Sequence, residues 1–263
     1  DSNSLTKIIN KIKPHEIFHL AAKHYSSEMS SYANDRLLYL DNVTATFNIL
    51  SAIKECKYST KVILAGSCLM FDGSNTSLQD EKTPFQSVSF YGLAKIAEQK
   101  LAEFFRNMGV FVSMAILYNH ESPRRSSNFV TKKIVRNLVQ ICKGEQKSFS
   151  LGSIDVIKDW GYARDYAYGM WLMAQVDTPT EYVLSTGTKR TIKDFIDLAS
   201  RDLGIDNWTD YINIDKKLLR RSNNLHLVGN PSLAKKKLGW NHTIKFEELV
   251  TLIVKCELSE SLD

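Results

Sequence analysis

Two rhythms of apolar residues alternate along this chain. Residues 16–22 (EIFHLAA), 60–65 (TKVILA), 110–118 (VFVSMAILY), 147–152 (KSFSLG) and 181–187 (EYVLSTG) are short runs of strand length. The nearly unbroken apolar character of 60–65 and 110–118 predicts strands covered on both faces, as in a parallel sheet. Helical spacing marks 5–12, 41–56, 91–107, 128–143 and 244–257, with Val43, Phe47, Leu50 and Ile53 forming one stripe. A polar loop is expected before residue 41, and an apolar helix after the loop near residue 160. In 191–204, Thr191 with Asp194 three positions later predicts a capped helix start. Strands alternating with amphipathic helices predict an α/β fold, a parallel sheet flanked by helices. Ligands of such sheets sit beyond the carboxyl ends of the strands, here 21–26, 67–72 and 118–125.

Composition narrows the class. The chain has 263 residues, 43% hydrophobic and 24% charged, with 12 Gly and 5 Pro, enough for a full buried core. No apolar run approaches the roughly 18–20 residues that span a bilayer. The first residues, DSNSLTKIINKIKPHE, lack the apolar segment and cleavage site of a secretory signal. Cys56, Cys68, Cys142 and Cys256 are scattered, without C-x-x-C or paired histidines. Reduced thiols in a cytoplasmic protein without a metal site are expected.

The net charge of +5 suits an anionic small molecule. The basic runs 131–136, 216–221 and 234–237 read as solvated helix faces, and aromatic residues do not interleave with them as in a nucleic-acid groove. Neither G-x-G-x-x-G nor G-x-x-G-x-x-G, the turn that admits a dinucleotide pyrophosphate, occurs in this sequence.

Three residues could do chemistry together. Tyr91 and Lys95 stand four apart on one helix, so their side chains share a face. Ser67 lies just past the strand before that helix. A phenol is a poor base near neutral pH, but an adjacent ammonium favours its phenolate. A hydroxyl opposite it can hold a substrate alcohol for deprotonation while hydride leaves for a nicotinamide. The Tyr-x-x-x-Lys spacing alone arises often by chance; the strand–Ser–turn–helix context gives it weight.

The collinear runs PHEIFHLAA, DNVTATFNILSAI, ILAGS, EKTPFQSVSFYGLAK, ILYNHESPRRSSNFVTKKI, FSLGSIDVIKDWGYARDYAYGMWLM and KKKLGW resemble the extended short-chain dehydrogenase/reductase family, within it the GDP-mannose 4,6-dehydratases. The resemblance implies a Rossmann-like dinucleotide-binding domain over 1–120, to which 161–190 returns, interleaved with a smaller α/β substrate-binding domain over 121–160 and 191–263. It places Asp1 just after the family's third strand, which leaves two expectations open: a fragment whose glycine turn lies outside this sequence, or a gene product that has lost its cofactor cradle.

The resemblance also implies roles. Tyr91 would be the base that oxidises the sugar C4 hydroxyl, Lys95 would bind the nicotinamide ribose and lower the Tyr91 pKa, and Ser67 would bond the sugar at C4. Leu20, Ala21, Ala22, Leu117, Asn119 and His120 would line the cofactor, NADP with NAD as the alternative. Asn119 would also touch the substrate. Arg124 and Arg125 match a loop that reaches a neighbouring subunit's NADP phosphate. Lys132 or Lys133, and Arg220, match positions near the diphosphate of a GDP-sugar. Helices 41–56 and 91–107 match a dimer interface, implying a homodimer or homotetramer.

The sequence departs from the family at informative places. The glutamate that takes the C5 proton before water leaves C6 is Leu69 here, or Met70 with a one-residue gap. Asp72 is the nearest carboxylate. Lys23, His24 and Tyr25 replace a smaller polar triplet, and Asn223 replaces a glutamate in the nucleotide-gripping motif. His24 is a candidate substitute acid, although loop histidines are more often bystanders. Three readings stay open: a 4,6-dehydratase, a GDP-sugar epimerase or oxidoreductase without elimination, and a non-catalytic paralogue or fragment.

Overall fold

A computed structural model describes residues 2–24, 31–56, 58–73, 78–215, 218 and 226–260. In chain order, α1 (Ser2–Ile12) leads to β1 (Glu16–His19), α2 (Tyr32–Glu55) and β2 (Lys61–Ala65). A 3₁₀ turn, Cys68–Met70, precedes α3 (Phe90–Asn107), β3 (Val112–Leu117), β4 (Asn119–Glu121) and α4 (Val130–Cys142). The middle of the chain holds β5 (Phe149–Leu151), β6 (Ile157–Lys158), β7 (Trp160–Tyr162), α5 (Ala163–Gln175) and β8 (Glu181–Leu184). Then come β9 (Arg190–Thr191), α6 (Ile192–Asp202), β10 (Ile212–Ile214), α7 (Ser232–Leu238) and α8 (Phe246–Glu260).

The main sheet runs β1-β2-β3-β8, with every pair parallel. Phe18 faces Ile63 across the ladder, Ile63 faces Ser113, and Ala115 faces Tyr182. Val62, Ile63 and Leu64 are all fully buried, so both faces of β2 are covered, as its nearly unbroken apolar run predicts. The helices α2 and α3 pack on each other and α3 packs on β3, while α5 packs on β2 and β3.

The first core gathers Leu50, Ile63, Leu64, Met70, Met114, Ile116 and Tyr166 around this sheet. A second core joins α4, α6 and α8, with Leu138, Phe195, Leu249 and Ile253 buried among them and Trp160 stacked on Phe246 at 5.9 Å. Leu227, Ala234 and Trp240, from the stretch expected to serve the second domain, pack into the first core.

Two carboxylates stitch these parts together. Asp159 accepts from Thr186 N at 2.9 Å, Thr186 Oγ1 at 2.7 Å, Gly187 N at 2.9 Å and Gly229 N at 3.3 Å. Asp165, buried near the start of α5, accepts from Thr243 N at 2.8 Å and Thr243 Oγ1 at 2.7 Å. Both are structural ties.

Several expected boundaries move. The segment before residue 41 is helical from Tyr32, because Ser31 caps it by accepting from Asn34 N at 3.2 Å and Leu38 anchors it in the interior. Strand β1 stops at His19, and Leu20, Ala21 and Ala22 continue as exposed chain. The ribbons β4–β7 (parallel) and β6–β9 (antiparallel) have no counterpart in the expected elements, and β10 joins β5 in parallel. Such short strands are made by their distant partners and not by a local run. The cap at Thr191 is as predicted, with Thr191 Oγ1 accepting from Asp194 N and Asp194 accepting from Thr191 N.

Candidate active site

The site grows from the carboxyl end of β2. Ser67 caps the 3₁₀ turn, its Oγ accepting from Leu69 N at 3.2 Å. Ser89 caps α3 in the same way, accepting from Gly92 N at 3.1 Å. The two caps meet at Gly92, where an added Cβ would stand 2.0 Å from the Leu69 carbonyl oxygen and 2.1 Å from Ser87 Oγ. Gln86 N donates to Met70 O at 2.9 Å and closes the same joint. The turn carrying Ser67 is thus clamped to the first helical turn carrying Tyr91.

Lys95 shares the face of Tyr91, its Nζ lying 5.7 Å from the ring centroid. Its charge is already partnered. Nζ donates to Glu98 Oε2 at 3.0 Å, with both side chains buried. The Lys95 ammonium, expected to act on Tyr91, is held by Glu98. Burial pushes the Tyr91 phenol above its ordinary value, the Glu98 and Cys68 charges push the same way, and Arg125 opposes them. Burial likewise raises the Glu98 carboxyl, against the pull of Lys95. His19, buried at the end of β1, is held down to about 4, first by burial and then by the Lys95 charge. Glu98 escaped the sequence reading; its only local signal is a Lys–Glu spacing of three, common on any helix.

An aromatic stack leads from Tyr91 towards the loop after β4. His24, exposed, meets the Tyr91 ring edge-on at 4.5 Å between centroids and lies parallel to Phe129 at 5.9 Å. The Arg125 guanidinium covers Phe129 at 3.5 Å from its centroid, and Arg125 Nε sits 3.3 Å from Glu121 Oε2. Glu121, buried, also accepts from Thr131 Oγ1 at 2.7 Å. Arg125 is thereby folded onto its own chain, while Arg124 is exposed.

The other expected residues divide. Leu20, Ala21 and Ala22 form an open rim beyond β1, and the Asn42 side chain holds that loop by accepting from Lys23 N at 2.8 Å and donating to Lys23 O at 3.0 Å. Leu117 ends β3 opposite Leu184. Asn119 and His120 lie on β4, where Asn119 Nδ2 donates to Asp159 O at 3.1 Å. His120 Nδ1 is 2.8 Å from the Tyr118 carbonyl, which makes that nitrogen the donor, and burial lowers the His120 pKa. Lys132 turns to α8: its buried ammonium pairs with Glu257 and donates to Pro123 O at 3.0 Å. Arg220 lies outside the described residues. Leu69, half-buried, occupies the turn between Ser67 and α3.

This arrangement sits in a chain with clear kin. The family profile described as GDP-mannose 4,6 dehydratase matches residues 1–253. The chain belongs to the GDP-mannose 4,6-dehydratase family. GDP-mannose 4,6 dehydratase 2 of Arabidopsis thaliana is 38% identical over 266 residues, covering 98% of this chain and 69% of that protein. By kinship the chain is a dehydratase-type enzyme of nucleotide-sugar metabolism. Among solved structures, RMD from Pseudomonas aeruginosa complexed with NADPH superposes with a TM-score of 0.87 at 20% identity, over 99% of this chain and 85% of that one. UDP-glucose 4-epimerase from Thermotoga maritima with UDP-glucose gives 0.86 at 20% identity, over 100% and 83%. Both share the Rossmann-like fold seen here.

Proposed function

We propose that the chain acts on a GDP-sugar as a 4,6-dehydratase, converting GDP-mannose to its 4-keto-6-deoxy form. The observation that carries this reading is the clamp that fixes the turn of Ser67 against the helix bearing Tyr91 and Lys95, in a chain that the family profile matches over residues 1–253. Ser67 would bond the C4 hydroxyl and Tyr91 would take its proton. The residues fit the nicotinamide end of NADP, or of NAD: the small exposed side chains of Ala21 and Ala22 leave room for close approach, and Lys95 holds donors beside Tyr91. When bound, that group would supply a hydride acceptor for C4 and a donor for C6. The NADPH and the UDP-glucose named with the two solved structures support a nicotinamide and a nucleotide sugar here.

Leu69 favours a second reading. Elimination needs a base at C5, and a leucine at the family's glutamate position cannot accept a proton. On that reading the same three residues perform C4 redox chemistry, as an epimerase or oxidoreductase, without loss of water. One experiment separates the two. The protein is incubated with GDP-mannose and NADP while NADPH absorbance and the sugar's NMR spectrum are followed. A 4-keto-6-deoxy product with no net NADPH supports the dehydratase; stoichiometric NADPH, or a C4 epimer, supports the second reading. Binding of neither ligand sinks both.

The apolar residues Leu37, Leu40 and Phe47 of α2 and Leu93 and Phe104 of α3 are exposed on adjoining helices. They support a homodimer, or a homotetramer built from it, through these helices. A monomer by sedimentation at micromolar concentration would contradict this. No helix among the described residues is long and apolar enough to cross a membrane. The four free cysteines accord with a reducing compartment such as the cytoplasm.

A further inference from the structure

The ion pair beneath Tyr91 has the geometry of a control element. Lys95 and Glu98 are 2% and 1% exposed, one helical turn apart on α3. One of the three ammonium N–H bonds is given to Glu98 Oε2, so the ammonium is anchored and keeps two donors for the ligand side. On its other side Glu98 meets the buried Thr46 of α2, whose hydroxyl favours the charged carboxyl alongside Lys95. Glu98 is thus a buried carboxylate held between Lys95 and Thr46, and a desolvated charge of this kind is costly to keep. We propose that Glu98 is a positioning residue for the C4 redox step: it fixes the Lys95 ammonium beside Tyr91 and sets the pH at which the Tyr91 phenol ionises. This inference rests on the reading that Tyr91 is the base.

The groups facing this pair come from every neighbouring element. Lys95 is on α3 itself, Cys68 on the 3₁₀ turn, and His19 at the end of β1. Arg125 reaches in from the loop after β4, and β8 contributes Glu181, paired with Arg106 at 2.9 Å. On α2, Thr46 is buried, and Asp41 is paired with Lys23 at the surface. Of these, Cys68 is buried and its thiol pushed up to about 11, so it stays neutral near neutrality, and His19 stays neutral above about 4. Glu98 and Arg125 are therefore the opposed charges that act on the phenol, with Lys95 tied to Glu98. A phenolate is favoured by the guanidinium and disfavoured by the carboxylate, so removal of the Glu98 charge favours it.

The test is Glu98→Gln, which keeps the shape and removes the charge. Tyrosinate absorbance is titrated in the variant and in the parent, each against its Tyr91→Phe counterpart, so that one phenol is read. The expected result is a Tyr91 titration displaced downward by about one pH unit, tenfold in its ionisation constant, with the acid limb of kcat/KM moving the same way. An unmoved or upward titration overturns the proposal. Should Glu98→Gln fail to fold, Glu98→Asp decides: it keeps the charge but withdraws it from Nζ. Then kcat falls while KM for the sugar stays constant, and an unchanged kcat overturns the proposal. A displaced titration without turnover of any nucleotide sugar would sink the functional reading and support the coupling. Turnover with an undisplaced titration would do the reverse.

Discussion

The α-carbon of Gly92 rests against the carbonyl of Leu69, with room for hydrogen and nothing larger: a Cβ there would stand 2.0 Å from the carbonyl oxygen. That contact sets the distance between the turn that presents Ser67 and the helix that presents Tyr91. In an ordinary helix, Gly→Ala stabilises by roughly 1 kcal/mol. Here Gly92→Ala is expected to destabilise by about 1–3 kcal/mol, because the turn has to move or the helix start has to unwind. Urea denaturation reads the stability. Activity should fall further than stability explains, as Ser67 is displaced from Tyr91; an alanine variant as stable and active as the parent would mean the joint is loose.

Tyr91→Phe removes one oxygen and leaves the ring that meets His24. Loss of a positioned acid–base group lowers the rate by roughly 10²- to 10⁴-fold. The expected outcome is that loss in kcat, with nucleotide-sugar affinity by calorimetry nearly unchanged. Full activity in this variant would place the chemistry elsewhere.

His19 ties stability to pH. Its folded value of about 4 lies below the ordinary 6.5, so the unfolded chain binds the proton more readily. The stabilisation is fully present above the unfolded value and is lost as pH falls through 6.5 towards 4. Its size follows from that depression, about 3 kcal/mol. His19→Gln, polar and uncharged, should flatten this part of the stability profile. Thermal melts at a series of pH values check it, and an equally steep acid slope in the variant would refute the assignment.

Leu69→Glu tests what the family's missing carboxylate would restore. Leu69 is half-buried in the turn after Ser67 and packs against the first core, so the variant also tests whether that turn can present an acidic side chain. If no other group takes the C5 proton, elimination should rise by roughly 10²- to 10⁴-fold relative to C4 redox. NMR of the sugar product measures it. An unchanged ratio would show that the proton leaves by another route.

A single charge deletion probes the buried pair. Glu98→Leu leaves the Lys95 ammonium buried without its carboxylate, and breaking one partner of such a pair destabilises by about 3–5 kcal/mol. The double variant Glu98→Leu, Lys95→Met should recover much of that loss, because neither charge is then left desolvated. Denaturation of the single and double variants gives the comparison; additive losses would argue against coupling.

Much of this was legible in the sequence because it rests on local rules. The nearly unbroken apolar runs at 61–65 and 112–117, of strand length, predict strands covered on both sides, and the order of Ser67, Tyr91 and Lys95 along a strand, turn and helix already groups them. Thr191 and Asp194 announce their own capping box. By contrast, Lys132 carried the same signal as any basic residue on an amphipathic helix. It is drawn inward because Glu257 lies on a helix more than a hundred positions away, a pairing no local window contains.

The amino-acid order thus determined the parallel α/β sheet, its main helices and the three groups of the candidate site, since each follows from periodicity or from neighbours along the chain. Tertiary structure alone decided the state of those groups. Burial between α2, α3 and the sheet turns a commonplace Lys–Glu spacing into a desolvated ion pair, and the packing of Gly92 on Leu69 fixes how Ser67 meets Tyr91. Desolvation and close approach depend on what comes from elsewhere in the chain, and the sequence does not carry that locally.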